Sequence, residues 1–124
     1  MRGRGLTCMR ALLLPLLLAA VAVAAPAAAG AAEALPGRAL AYDIGKGNCL
    51  ACHAVPGDPG AITSANIGPP LLQMRQRFPQ RERLVGQLVD PMQFNPQTVM
   101  PPFGKHGILT AQEIEQIVDF LYTL

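Results

Sequence analysis

The chain has 124 residues, 51% of them hydrophobic and none of them tryptophan, and a formal charge of +2 at pH 7. Three of its ten basic residues precede residue 11, and from residue 33 onward seven basic residues stand against eight acidic ones. The basic excess of the whole chain therefore gives no reason to expect nucleic-acid binding, and the chain beyond residue 32 is long enough for one small domain only.

The N-terminal segment has the pattern of an export signal. Three arginines lie in the first ten residues, residues 12–25 are apolar, and the alanines after them offer several cleavage sites. We predict a signal peptide over residues 1–32, cleaved between residues 25 and 34, and a periplasmic domain without stable membrane insertion after cleavage. Cys8 precedes the apolar run and belongs to the discarded peptide. Retention of residues 11–32 as a membrane anchor stays open, because that stretch is uncharged and long enough to span a bilayer.

The next element, in the predicted mature domain of residues 33–124, is a short helix. Pro36-Gly37 precedes a stretch, residues 38–47, whose apolar and small residues recur at helical spacing, and Gly45 and Gly47 end it.

Directly after this helix comes Cys49-Leu50-Ala51-Cys52-His53, a CxxCH pentapeptide, which is the usual mark of covalent c-type haem attachment. On a helical turn, residues at i, i+3 and i+4 share one face, so both thiols and the imidazole would lie together. The motif predicts haem c, one per chain, with Cys49 and Cys52 as thioether anchors and His53 as the proximal iron ligand.

Two other uses of these cysteines compete with haem attachment. A structural zinc site needs four Cys or His ligands, but beyond residue 30 the chain has two cysteines and two histidines, and the second histidine, His106, lies in a distant Gly-rich loop. A thioredoxin-like CxxC needs a preceding strand and a βαβ frame, and the sequence has no strand pattern.

The remaining elements are predicted as helices joined by Pro-rich loops. Residues 54–70 form a loop, residues 71–78 and 80–89 form short helices, and residues 91–107 form a second loop. Thr110 and Glu113 make a capping box for a last helix with apolar residues along one face to Leu121. The fold class is therefore all-α, a small helical domain wrapped around one haem. Contacts between the first and last helices are assigned to Tyr42, Gly45, Phe120 and Tyr122.

The sixth position on the iron has four candidate ligands, Met74, Met92, Met100 and His106. Met100 is favoured, because the Pro101-Pro102 pair after it stiffens the backbone that would hold the thioether. Met74 lies on an apolar helix face and reads as core. Met92 lies in the same loop, but Gln93 and Phe94 after it give no comparable rigidity, and His106 lies in an exposed loop; neither is excluded.

Together these motifs resemble the class I cytochromes c, and more narrowly the SoxX family, the monohaem subunits of SoxAX sulfur-oxidation cytochromes. The similarity rests on CxxCH after Gly47-Asn48, on Gly68-Pro69-Pro70-Leu71, on residues 90–101 with their Thr-Val-Met-Pro sequence, and on residues 114–124. It covers about residues 38–124.

The resemblance implies a partner and a pathway. A SoxA-like subunit would form a heterodimer with this chain, and the pair would oxidatively join thiosulfate to a cysteine of a SoxYZ-like carrier, as L-cysteine S-thiosulfotransferase. This chain would accept the electrons and pass them to a soluble acceptor, with no catalytic residue of its own. The family pattern also implies that the Pro69 carbonyl accepts a hydrogen bond from His53, although the double proline leaves that register open. Four arginines lie within residues 75–83, and we predict that Arg77 binds a haem propionate.

Two other functions use the same haem residues. One is a freestanding periplasmic electron shuttle, which would differ by having no permanent interface. The other is a ligand-binding or peroxidase-like haem, which would need an open sixth position.

Overall fold

The computed structural model describes residues 36–124, so the predicted signal peptide lies outside the described residues. Helix α1 spans Pro36–Tyr42, α2 spans Met74–Arg77, α3 spans Arg81–Val89 and α4 spans Ala111–Leu121. Two single 3-10 turns, Cys49–Ala51 and Pro91–Gln93, complete the regular structure of this part of the chain. The described residues contain no strand, which confirms the predicted all-α fold class.

Helix α4 begins where the sequence predicts. Thr110 Oγ1 accepts a hydrogen bond from the Glu113 amide, and Glu113 Oε2 accepts one from the Thr110 amide, which is the predicted capping box. The apolar face of α4 is almost completely buried, with Ile117 and Val118 at 0% exposure. This helix therefore supplies a large part of the buried core.

Helix α1 crosses α4 at a glycine. A Cβ on Gly37 would overlap the backbone carbonyl of Gln116, so only glycine permits this approach. Beside the crossing, the rings of Tyr42 and Phe120 meet edge to face with centroids 5.6 Å apart. For Gly45 and Tyr122, which were assigned to the same contact, the structure gives hydrogen bonds to other parts of the chain.

Gly45 lies in the turn after α1, and Tyr122 extends toward α2. The Gly45 amide donates to Asp43 Oδ1, and the Tyr122 hydroxyl donates to the Phe78 carbonyl. The same Asp43 side chain explains why α1 ends at Tyr42 rather than near Gly47, because a carboxylate bonded to the backbone two residues on favours a turn over a continued helix.

Helix α2 is shorter than predicted, and α3 agrees to within one residue. Gln73 adopts a left-handed conformation with φ 51°, which prevents the helix from starting at Leu71. The amide of Met74, the first residue of α2, instead donates a hydrogen bond to the carbonyl of Leu124, the last residue of the sequence. Helix α3 ends at Val89, directly before Asp90-Pro91.

Most of the buried apolar core borders one cavity. Eight buried apolar side chains belong both to the core and to the cavity wall: Leu71, Met74, Leu84, Leu88, Phe103, Leu109, Ile117 and Leu121. In a small domain, an apolar group bound in this cavity would add to the core.

Candidate functional site

The CxxCH segment forms one edge of this cavity. Asn48 adopts a left-handed conformation with φ 46° and starts the 3-10 turn at Cys49. The His53 amide donates to the Cys49 carbonyl over 2.9 Å, and the Cys52 amide donates to the same oxygen over 3.2 Å. This tight turn brings Cys49, Cys52 and His53 to the wall of one cavity, as predicted for residues at i, i+3 and i+4.

Neither cysteine is in a disulfide, and the environment of Cys49 does not favour thiol redox chemistry. Burial raises the pKa of the Cys49 thiol to about 11, so at neutral pH the group is a neutral thiol. Redox-active CxxC motifs depend on the opposite shift, toward a reactive thiolate. The pKa of Cys49 therefore counts against the thioredoxin-like alternative.

The cavity has a volume of about 730 Å³ and a wall that is mainly apolar. This volume is within the range of pockets for small molecules and cofactors, about 300–1,000 Å³. Within the described residues its wall contains two cationic side chains, Lys46 and Arg77, and no carboxylate. An apolar cavity with cations at its wall and two thiols at one edge suits a large apolar group that carries acidic substituents.

The orientation of the His53 ring is set by the loop after it. His53 Nδ1 lies 2.6 Å from the carbonyl oxygen of Pro69, and a carbonyl oxygen can only accept, so Nδ1 carries the proton. In a neutral imidazole this leaves Nε2 with the lone pair that binds metal. The Gly68 amide donates to the Cys52 carbonyl over 2.8 Å, and a Cβ on Gly68 would overlap the ring.

The carbonyl oxygens of the two adjacent prolines, residues 69 and 70, bind different predicted site residues. Pro69 faces His53, whereas the Pro70 oxygen accepts a hydrogen bond of 2.8 Å from Arg77 Nη1. The ambiguity of register that the sequence left at this position is thereby removed.

Only two of the four candidate sixth ligands reach the cavity. Met100 and Met74 line it, whereas Met92 is 47% exposed and His106 is exposed, and neither contributes to the wall. Met74 is 3% exposed and belongs to the core, and its sulfur lies 3.6 Å from Arg77 Nη1. This is the packing role expected of it.

Met100 is held by backbone and side-chain contacts on either side. Its amide donates to Thr98 Oγ1 over 3.1 Å, and the Phe103 amide donates to the Pro101 carbonyl over 3.0 Å. The Met100 sulfur lies 3.8 Å from Nε2 of Gln87. The loop therefore fixes the half-buried thioether at the cavity wall.

The four clustered arginines separate by environment. Arg75 stacks on the Tyr122 ring, Arg83 on the Phe94 ring, and Arg81 pairs with acidic residues of α4. Arg77 alone of the four lines the cavity.

The wall residues that were not predicted from the sequence include Gln87 and Lys46. Gln87 follows Leu84 by one turn on the cavity face of α3, and a polar residue inside an apolar helix face was the signal that could have identified it. Lys46 reaches Glu113 at the start of α4 over 2.7 Å and lowers the pKa of that carboxyl to about 2. No sequence signal connects residues so far apart in the chain.

Residues 36–124 include no helix that is both long and apolar enough to cross a membrane. In the same range, no group of three or more His, Cys, Asp or Glu side chains is arranged to hold a metal ion.

The chain is similar to a known protein family, to a relative of known sequence and to a solved crystal structure. A family model described as cytochrome c oxidase, cbb3-type, subunit III matches residues 32–121. An uncharacterized lipoprotein of Aquifex aeolicus (strain VF5) is 39% identical over 77 residues, which are 62% of this chain and 36% of the lipoprotein, so the chain spans about a third of that relative. The crystal structure of SoxXA from P. pantotrophus superimposes with a TM-score of 0.63 and 29% identity, over 70% of this chain and 77% of the matched chain.

The site agrees with these similarities. Two thiols and an imidazole on one turn, next to a large cavity with an apolar wall, fit the covalent attachment of haem c. The chain therefore belongs to the family described as cytochrome c oxidase, cbb3-type, subunit III, and it is a SoxX-like electron-transfer cytochrome that binds haem c covalently.

Proposed function

We propose that this chain is the electron-accepting subunit of a SoxAX-type complex, which oxidatively joins thiosulfate to a cysteine of a SoxYZ-like carrier. The observation that carries the proposal is the similarity to SoxXA, at 29% identity over 70% of the chain. We further propose that residues 1–32 are a signal peptide and that residues 33–124 act in the periplasm. The name of the Aquifex relative, a lipoprotein, supports export.

In the proposed ligand set, Cys49 and Cys52 would hold one haem per chain covalently, and His53 and Met100 would bind its iron. When bound, the haem supplies a reversible one-electron iron couple. His53 presents Nε2 because its Nδ1 donates to the Pro69 carbonyl, and Met100 offers a neutral thioether from a braced loop. A neutral sulfur ligand favours the ferrous state and raises the reduction potential.

With His53 and Met100 both holding the iron, this chain would act as an electron relay. Thiosulfate or peroxide would find no open position on the metal, and the apolar wall of the cavity would exclude water. Joining a carrier thiolate to thiosulfate forms one S–S bond and releases two electrons, which a one-electron centre accepts one at a time. Each electron would leave through a soluble acceptor, and substrate would bind to the SoxA-like partner.

The ligand set is tested by the long-wavelength charge-transfer band that methionine sulfur gives with ferric haem. We expect the band in the wild-type holoprotein and its loss in Met100→Ala. Met92→Ala is the matched control, because Met92 is exposed and outside the cavity wall, and it should keep the band. A band that survives in Met100→Ala and disappears in Met74→Ala would transfer the ligand role to Met74.

The complex is tested by coexpression with a SoxA-like haem subunit and a SoxYZ-like carrier. We expect copurification with the SoxA-like subunit, and reduction of the haem in this chain when thiosulfate and carrier are added together. A stable monomer in the presence of the coexpressed subunit, with no reduction by thiosulfate, would refute the proposal and favour the freestanding electron shuttle.

A further inference from the structure

The Phe94 side chain is an exposed aromatic group that packs against α3. Its ring lies over Gly86, where an added Cβ would be 3.2 Å from the ring carbon Cζ, so the glycine lets the ring approach the helix. The Phe94 residue is 41% exposed, and Met92, two residues earlier, is 47% exposed. Neither side chain contributes to the cavity wall or to the buried core. Haem binding and core packing therefore do not account for these two exposed apolar side chains.

The turn that contains Phe94 is held by its own backbone. The amides of Phe94 and Asn95 both donate to the Pro91 carbonyl over 3.0 Å, and Pro91 is fully buried. The Gln97 amide donates to Asn95 Oδ1 over 3.0 Å. A surface that is already ordered loses little conformational freedom when a partner binds. Asn95 lines the cavity, so a partner on the Phe94 ring would lie one residue from the haem site.

Arg83 adds a positive charge beside the Phe94 ring. Its guanidinium carbon is 5.1 Å from the ring centroid. Within residues 36–124, four other basic residues pair with carboxylates, whereas Arg83 pairs with none. Glu82, the next residue in α3, does not reach it, because neighbouring side chains on a helix point in different directions. Arginine, phenylalanine and methionine are enriched in protein interfaces. An unpaired cation beside exposed apolar side chains fits an acidic protein surface.

We propose that Phe94, Met92 and Arg83 form a docking surface for a soluble electron acceptor whose own surface is acidic; this inference rests on the proposed role of the chain as an electron relay. The acceptor gains one electron as the iron of this chain passes from ferrous to ferric. The two apolar side chains expose about 100 Å² each, far less than the roughly 800 Å² per partner of a stable interface. A small apolar centre with a charged edge is typical of a brief encounter, in which the charge speeds association. The acceptor therefore binds briefly at this surface, and a permanent subunit binds elsewhere.

The test measures how fast an acidic blue-copper protein oxidises the reduced, haem-loaded protein in stopped flow. At low ionic strength we expect Arg83→Gln to lower the second-order rate constant roughly threefold, and Phe94→Ser to lower it roughly tenfold. The effect of Arg83→Gln should vanish at about 1 M salt. Two controls should match the wild type. Arg75→Gln removes an arginine that stacks on the Tyr122 ring at 4.7 Å, and Ile62→Ser removes an apolar side chain that is 92% exposed.

Arg83→Glu provides a second variant that changes only the charge of an exposed residue, so it does not depend on how the protein tolerates the loss of the Phe94 ring. It should lower the rate constant more than Arg83→Gln does, because it repels an acidic partner. The reduction potential and the charge-transfer band of all these variants should equal those of the wild type, which shows that neither the driving force nor the iron ligands have changed.

Three outcomes separate this inference from the proposed complex. If the Arg83 and Phe94 variants are oxidised as fast as Arg75→Gln, the docking surface is refuted, even where the wild type copurifies with a SoxA-like subunit. If the same variants lose copurification with that subunit, the surface belongs to the permanent interface and its assignment to a soluble acceptor is overturned. If the wild type fails to copurify but the Arg83 and Phe94 variants are oxidised slowly, the complex is refuted and the docking surface is supported.

Discussion

Gly68 lies against the imidazole of His53, and one added methyl group tests whether this contact holds the ring. A Cβ on Gly68 would lie 2.6 Å from His53 Nδ1 and 2.7 Å from Nε2, whereas unstrained contacts of this kind are about 3.5 Å or longer. The Gly68 backbone cannot easily move away from the imidazole ring, because its amide donates a hydrogen bond of 2.8 Å to the Cys52 carbonyl. In Gly68→Ala the ring must therefore shift by about 1 Å.

A shift of that size breaks the hydrogen bond between His53 Nδ1 and the Pro69 carbonyl, which now measures 2.6 Å. The lost hydrogen bond costs about 1 kcal/mol, and forcing a methyl group into a packed site costs about 1–3 kcal/mol. We expect the free energy of unfolding of the haem-loaded protein to fall by about 2–4 kcal/mol. For a domain of this size the Tm should fall by about 10 °C or more.

The assay is guanidinium unfolding of the holoprotein, followed by circular dichroism and haem absorbance, together with the reduction potential. The potential should rise, because an imidazole that no longer donates through Nδ1 is a weaker base and stabilises ferric iron less. Gly86→Ala is the matched control, since its Cβ would meet only the end of the partly exposed Phe94 ring at 3.2 Å in a helix that gains from alanine. If Gly68→Ala unfolds with the same free energy and has the same potential as Gly86→Ala, the ring is not held by this contact.

Three further changes probe other parts of the structure. Arg77→Gln should lower the reduction potential, because it removes a cation from the cavity wall that favours the reduced state; Arg75→Gln, whose guanidinium stacks on Tyr122, should leave it unchanged in the same voltammetry. Gly37→Ala should destabilise the protein by about 1–3 kcal/mol in thermal unfolding, since its Cβ overlaps the α4 backbone, and a stability equal to wild type would contradict the close crossing. The hydrogen-bonded Arg38 holds the pKa of the Asp58 carboxyl well below its usual range, so this stabilisation is complete above the unfolded pKa of about 3.9 and is lost as pH falls toward the folded value. Urea unfolding across this acid range should show a weaker pH dependence in Asp58→Asn, and an unchanged dependence would show that the pair does not contribute.

The sequence predicted a helix correctly when the residues that determine its ends lie within that helix. Helix α4 was predicted with its cap, because Thr110, Glu113 and the apolar face all lie within one helix. Helix α2 was predicted too long, because its start depends on the left-handed Gln73 and on a hydrogen bond to Leu124 at the far end of the chain. Helical periodicity contains no information about such a distant partner.

The same division applies to the site. The sequence by itself determined the haem attachment motif, because CxxCH brings Cys49, Cys52 and His53 together through one turn of backbone. For the second iron ligand it favoured Met100 and did not exclude Met74, Met92 or His106. The tertiary structure decided that Met100 and Met74 reach the cavity and that Met92 and His106 do not. It also assigned the Pro69 carbonyl to His53 and brought Gln87 to the Met100 sulfur. These contacts depend on the positions of two loops, one packed against α3 and the other against the CxxCH turn. The loop positions are set by packing and hydrogen bonds between residues far apart in the chain.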